Sequence, residues 1–564
     1  MKFSEFEYKR PDLDAFKAEF KKEIDMFEKA ESASAQNEAL KSIVKVRNTF
    51  LTQAEIAGIR YSINTKDSFY EAEQDFFDGA MPEYEGLVSN FYKALIKSQY
   101  RDELEEKWGK LLFDMAELQI KTYSDDILED LKVENQLSSK YTKLLASAEI
   151  EYDGKVYNIP QMRPFMMSKN REERKIAADL VAGFFAENES KFDEIYDEMV
   201  KIRHNIAKKL GYDNFVELGY DRLGRTDYNS KSVSVYRSAI EKYVVPIAES
   251  LRSKQATRLG LDALKYYDLN ISFNSGNATP KGTPEQILEA GRKMYHELSK
   301  ETGEFFDFMM ENELMDVLSK DGKSPGGYCT FINDYKSPFI FSNFNGTADD
   351  VDVLTHEAGH AFQVYMSRDY ELPEYVWPTL EACEIHSMSM EFLTHPWMNL
   401  FFEEDAEKYY FNHVNDAFTF LPYGVTVDDF QHFVYENPNA SADDRKRAWR
   451  NCEKKYMPSL DYEGNEFLDK GTFWFRQGHI FKDPFYYIDY TLAQICAFQF
   501  WKKSEETPET AWTDYLALCK KGGSDSFLNL VREANLKSPF EETTIEDIAN
   551  FVNKHLEDID DAKF

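Results

Sequence analysis

Two histidines separated by one helical turn with a glutamate beside the first, His356-Glu357-Ala358-Gly359-His360, are the part of this sequence best suited to chemistry. On a helix, residues four apart share a face, so both imidazoles can approach one ion at ~2.0–2.1 Å, the zinc–nitrogen distance. Glu357 then lies beside the ion as a base, which is the arrangement of a metallopeptidase. A catalytic zinc also needs a third protein ligand and a fourth position left for water. Glu384 is the candidate for that ligand, with Glu381 three residues earlier as the competing choice.

The elements that must position these groups are readable. TADDVDVLTHEAGHAFQVYM reads as a helix that starts with a cap at Thr347 and has Asp349 and Asp350 in its first turn, where they complement the helix dipole. PTLEACEIHSMSMEFLTH reads as a second helix, capped by Thr379, with Glu384 and Glu391 on one face. The loop YELPEYVWP turns the chain back between them, so the second helix can pack on the first. Asp352, one turn before His356, is either a support for the site or a surface acid.

Around this centre the chain reads mainly helical. Residues 12–150 form consecutive amphipathic helices, and EIEYDGKVYNI alternates about Asp153-Gly154 as a tight hairpin. Helices resume near 170 and pause at Gly211. After the loop 272–282, Thr283, Pro284 and Gln286 form a capping signature. A second loop, 321–327, precedes two strand candidates, YCTFI and PFIFSNF, joined through Asn333-Asp334. PFIFSNF could pair with an extended peptide through its backbone or be an ordinary internal strand. The expected organisation is an N-terminal helical region, 1–170, and a catalytic region, 171–564, integrated into one fold.

Composition narrows the partners. The chain has 564 residues, and 101 acidic against 67 basic side chains give a formal charge of -34, which repels nucleic acid and anionic membranes. No apolar run approaches the ~18 residues of a membrane span. The first residues lack a secretion signal, and the five cysteines form no disulfide-like framework, so a cytoplasmic protein is expected. His204, His386, His395 and the remaining histidines lack ligand partners at helical spacing and read as structural.

PFIFSNFNGT, DVDVLTHEAGHAFQ and EIHSMSME together resemble the zinc oligopeptidases of the thimet oligopeptidase and oligoendopeptidase F family, particularly the bacterial oligoendopeptidase branch. The resemblance is densest across 326–395. It implies a mainly α, prolate multi-helical fold with a deep central channel and a small β-sheet beside the zinc helix. It also implies one Zn2+ per chain on His356, His360 and Glu384, Glu357 as general base, and Glu391 orienting a ligand imidazole.

In that family a histidine and downstream tyrosines close over the substrate and donate to the oxyanion. RQGHIFKDPFYYIDYTLAQ supplies His479, in a loop after Gly478, and Tyr486 and Tyr490, one turn apart on the following helix. The connection IFKDPF is shorter than the glycine-rich one of the thimet branch, so Tyr487 remains an alternative. The function expected is a zinc endopeptidase acting on short peptides. The alternatives are a zinc carboxypeptidase or dipeptidyl carboxypeptidase, and a non-catalytic peptide-binding protein.

Overall fold

The computed structural model of the chain describes residues 1–320, 322–324 and 326–564, with the side chains of 139, 146 and 562 left aside. Asp321 and Pro325 of the loop read at 321–327 lie outside the described residues. The architecture is mainly helical with two small sheets, as the sequence predicts.

The N-terminal helices are started by capping side chains. Asp12 accepts from the amides of Asp14 and Ala15 and opens Leu13–Glu28, Ser32 opens Ala33–Ile63, and Asp67 opens Ser68–Ile96. These helices enclose an apolar core of their own, including Phe16, Phe20, Phe27 and Phe91. Leu372 and Tyr375, from the loop between the His356 and Glu384 helices, complete that core. The same loop is clamped electrostatically, because buried Glu374 accepts from Arg47 Nη1 at 2.6 Å and from the Tyr92 hydroxyl at 2.5 Å. Burial opposes the charge of Glu374, but Arg47 outweighs it and holds the carboxyl below its usual range. The N-terminal layer therefore fixes the turn that aims the second helix.

The predicted hairpin forms: β1 (Ile150–Tyr152) and β2 (Lys155–Tyr157) pair antiparallel. Asp153 and Gly154 take φ of 48° and 73°, the left-handed values that such a turn needs. Thr283 and Gln286 make the expected capping box. The second sheet has three strands, β3 (Met315–Leu318), β4 (Tyr328–Ile332) and β5 (Ser337–Phe344), in the order β3-β5-β4. β5 pairs parallel with β3 and antiparallel with β4.

That order decides between the two readings of PFIFSNF. PFIFSNF lies in the middle of its sheet, with both edges already paired, so it has no edge to offer a peptide. The sequence reading missed β3, which is short and carries an acid, and so missed the strand that covers that edge. Among the described residues β4 lies at an outer edge of the sheet, and it packs beside the His356 helix.

Candidate metal centre

The helix carrying His356 runs Asp349–Ser367 and the helix carrying Glu384 runs Leu380–Leu393. Both predicted caps need correction. Thr347 gives its hydroxyl to Asn345 Oδ1 at 2.7 Å, and Ala348 is already helical at the N-cap position. The entry to that helix is fastened by Asp350 instead, whose carboxylate accepts the amides of Asn345 at 2.7 Å and Gly346 at 2.8 Å. Thr379 does occupy the N-cap of the second helix, but its hydroxyl makes no capping bond.

The two helices meet at Gly359. A Cβ there would lie 2.6 Å from Ser387 Cα and 2.7 Å from the His386 carbonyl oxygen. Only a residue without a side chain permits that approach, and the approach brings Glu384 to the histidines. Gly359→Ala is expected to cost about 1–3 kcal/mol, the usual penalty of overpacking a close contact. Thermal or denaturant unfolding would measure it, and an unchanged midpoint would show that the helices can part freely.

Across this contact, His356, His360 and Glu384 direct one ligand atom each into a space where all three lie within 4.8 Å of one another. Glu384 Oε2 is 3.2 Å from His356 Nε2 and 3.5 Å from His360 Nε2. A tetrahedral ion with bonds of ~2.0–2.1 Å has donor-to-donor edges of about 3.3 Å. The two edges from Glu384 thus match tetrahedral spacing, and two nitrogens with one carboxylate oxygen are a donor set suited to zinc.

The orientation of His356 is fixed from behind. Its Nδ1 lies 2.6 Å from Glu391 Oε1, so Nδ1–H donates to the carboxylate and the Nε2 lone pair is left facing His360 and Glu384. Glu391 Oε2 in turn accepts from His413 Nε2 at 2.7 Å. Burial works against a charge on Glu391, but these two imidazoles hold its pKa down to about 2. Asp352 belongs to the same support: burial pushes it up to about 7, and it accepts from the hydroxyl of Tyr409. His413, on the long helix Ala406–Glu436, was read as merely structural, and nothing in its local spacing marks it. His386, expected to be structural, is buried with Nδ1 2.7 Å from the Ala382 carbonyl oxygen and is not part of the donor cluster.

Glu357 is buried on the same helix, and burial raises its pKa while the two histidines pull it down. A carboxylate made more basic in this way is suited to accept a proton. Glu381, the competing candidate, is not part of this cluster. It is buried and interacts with the charges of Arg225 and Asp489, whereas Glu384 is the acid that joins the two histidines.

The third contributor is the segment after residue 470. His479 sits in a short helical turn, Gly478–Lys482, rather than in a loop, with Nδ1 2.9 Å from Gln477 Nε2. Its ring lies 5.7 Å from those of both Tyr486 and Tyr490 and 5.0 Å from that of Tyr487. The Tyr486 hydroxyl donates to Glu384 Oε1 at 2.9 Å. Burial and then the charge on Glu384 push the Tyr486 phenol far above its ordinary value, and Tyr490 shifts in the same direction for the same reasons. Both therefore stay protonated donors at any working pH. Tyr487 is raised by burial alone and packs against Phe420 and Tyr423.

Tyr486 is held in place by a strained neighbour. Phe485 has φ of 67°, a conformation that costs a bulky residue about 1–3 kcal/mol. Two contacts hold it there. Arg225 Nη2 donates to the Phe485 carbonyl at 2.6 Å and to Asp489 Oδ1 at 2.5 Å, and the Phe485 ring lies where a Cβ on Gly219 would sit, 2.6 Å from its Cδ2.

A cavity of about 1420 Å³ opens beside this centre, with His479, Tyr487 and Tyr490 on one wall and Met388, Glu391 and His413 on another. None of the three clustered donors lines it, so the cavity borders the centre rather than containing it. It exceeds the ~300–1,000 Å³ of pockets for drug-sized ligands. A peptide several residues long is an occupant of the right scale.

A mainly helical chain that closes such a donor set against a buried glutamate is a metallopeptidase. Comparison with known proteins makes the class specific. The chain belongs to peptidase family M3, whose model matches residues 165–550, and the peptidase M3 N-terminal domain matches residues 3–123. A solved structure of PZ peptidase A with inhibitor 2 is similar over 100% of both chains, at 58% identity and a TM-score of 0.96. Oligopeptidase PepF of Bacillus subtilis (strain 168) is 23% identical over 393 residues, which cover 66% of this chain but only 55% of that protein. The plasmid oligoendopeptidase F of Lactococcus lactis subsp. cremoris is 23% identical over 515 residues, covering 82% of this chain and 81% of that protein.

Proposed function

We propose that this chain is a zinc-dependent endopeptidase that hydrolyses internal bonds of short peptides, with His356, His360 and Glu384 as the metal ligands. The observation that carries this reading is the convergence of those three donors within 4.8 Å of one another, with Glu357 buried alongside. When bound, zinc supplies Lewis-acid polarisation of a peptide carbonyl and lowers the pKa of water toward ~7. Glu357 accepts the proton of the attacking water and passes it to the leaving amine. Glu391 and His413 keep His356 in its ligating tautomer. The outer edge of β4, beside the His356 helix, presents backbone donors and acceptors to an extended substrate.

Tyr486 and Tyr490 are the proposed oxyanion donors, with His479 packed against both. Tyr486 spends its proton on Glu384 in this structure, and a substrate carbonyl competing for it would find the donor already in place. Removing one such donor typically lowers kcat by about 10²–10³-fold. Tyr486→Phe or Tyr490→Phe is expected to show a loss of that size, with Tyr487→Phe near wild type; steady-state kinetics on the three variants distinguishes them, and a dominant loss at Tyr487 would reassign the role.

Residues 1–170 and 171–564 act in this reading as one unit, since Arg47 and Tyr92 of the first hold Glu374 of the second. A reducing, cytoplasmic setting fits five free cysteines, and cell fractionation tests it. The test of the function is digestion of peptides blocked at both ends, read by mass spectrometry with and without a chelator. Internal cuts that vanish with the chelator are expected. Blocked peptides left whole while free ones are trimmed would establish an exopeptidase instead.

A further inference from the structure

We infer that Arg476 is a binding site for a carboxylate of the peptide substrate, normally its C-terminal carboxylate, and that it anchors the chain in the cavity beside His479. The inference rests on the peptidase reading above and adds a recognition element to it.

Arg476 lines the cavity, yet its guanidinium has no hydrogen bond and no ion pair among the described residues, and its Nε is buried without a partner. In a chain with 101 acidic side chains an arginine without a carboxylate needs a reason. The groups around it are already committed. Tyr266 donates to Asp179, and Tyr423 donates to Gln477 Oε1 at 2.7 Å. Glu453 accepts from Trp449 at 2.6 Å, from Tyr462 at 2.5 Å and from Arg450 at 3.2 Å. Burial without a paired anion lowers the Arg476 pKa, so an arriving carboxylate would relieve an existing cost.

The geometry is that of a prepared fork. The guanidinium carbon lies 4.0 Å from the Phe473 ring centroid and 5.5 Å from that of Phe185, contacts that occupy no N–H donor, and a carboxylate is the partner that a guanidinium can meet with two of them. Arg252 lines the same cavity and also lacks a direct partner among the described residues, but two carboxylates, Glu249 and Asp416, act on its charge, against one, Glu453, on that of Arg476. Arg476 has the further advantage of position. It is separated from His479 by two residues, and Gln477 between them ties the segment to His479 Nδ1 at 2.9 Å and to Tyr423. Three residues of chain span at most about 11 Å between Cα atoms, so Arg476 and His479 belong to one short stretch of the cavity lining.

The consequence is a preference measured from the C-terminus, superimposed on an endopeptidase. The test uses matched internally quenched peptides that differ only in a free carboxylate or an amide at the C-terminus, with a third that is amidated and carries glutamate as its last residue. A charge-assisted bidentate contact corresponds to about 10–100-fold in kcat/KM. The full-length metal-loaded protein is expected to favour the free acid by that factor, chiefly through KM, and the ratio should collapse toward one in Arg476→Gln. Recovery by the glutamate peptide would identify any carboxylate as the ligand, and no recovery would restrict it to the terminus. Equal rates for acid and amide in the wild-type protein overturn the inference without any variant being needed. So does a ratio that survives in Arg476→Gln or disappears in Arg252→Gln instead. If none of the peptides is cut, the peptidase reading itself has failed, and that outcome is distinct from equal rates.

Discussion

Glu357→Gln is expected to lower kcat by about 10²–10⁴-fold, the range that a positioned general base contributes, with metal content unchanged. The amide has nearly the shape of the carboxylate, so the helix and its contact at Gly359 are preserved. What disappears is the group that accepts a proton. The wild-type carboxyl is raised by burial, against the pull of the two histidines, which makes it a stronger base than an exposed glutamate. Metal analysis together with kcat on one peptide separates this result from trivial loss of the site. Turnover within a few-fold of wild type, with the metal in place, would remove Glu357 from the mechanism.

Glu384→Ala should be as damaging by a different route. The carboxylate oxygen within 3.5 Å of both histidine nitrogens is the only anionic donor in the cluster among the described residues, so its loss leaves two neutral imidazoles to hold a divalent cation. Metal is expected to fall well below one equivalent after dialysis, and activity to fall with it, as on treatment with a chelator. The same change frees the Tyr486 hydroxyl from its partner, so restoring activity would require excess zinc and would remain partial. Undiminished metal content in Glu384→Ala would falsify the ligand set, and the site would then have to be rebuilt around another acid.

These two variants also separate what was readable from what was not. Glu357 and the histidines follow from one helical turn, a spacing that any sequence displays directly. Glu384 and Glu381 could not be separated in this way, because both lie on one helix and each could have faced the metal. The choice was made by packing: Glu381 is buried and interacts with the charges of Arg225 and Asp489, whereas Glu384 is the acid that joins the two histidines across the Gly359 contact. Tyr486, Tyr487 and Tyr490 pose the same problem. The structure places the charge of Glu384 beside the first and last of them and leaves Tyr487 among phenyl rings.

Contacts between segments distant in the chain left no trace in local pattern. His413 meets Glu391 across 22 residues, and Arg225 reaches Phe485 across 260. PFIFSNF reads as a strand from its residues, but whether it could take a peptide turns on edge or centre, which is a property of the sheet. Met315–Leu318 decided it by pairing on the open side.

By itself, then, the sequence determined which residues could ligate a metal, that they would lie on helices, where the Asp153-Gly154 turn would fall, and which family the motif resembles. These depend on side-chain type and on periods of a few residues. The tertiary structure alone decided which acid joins the two histidines, the histidine behind Glu391, the strands that lie at the edges of the sheet and the arginines without a direct partner in the cavity. Each of those depends on which surfaces of two elements face each other, and that is set by burial and close packing over the whole chain.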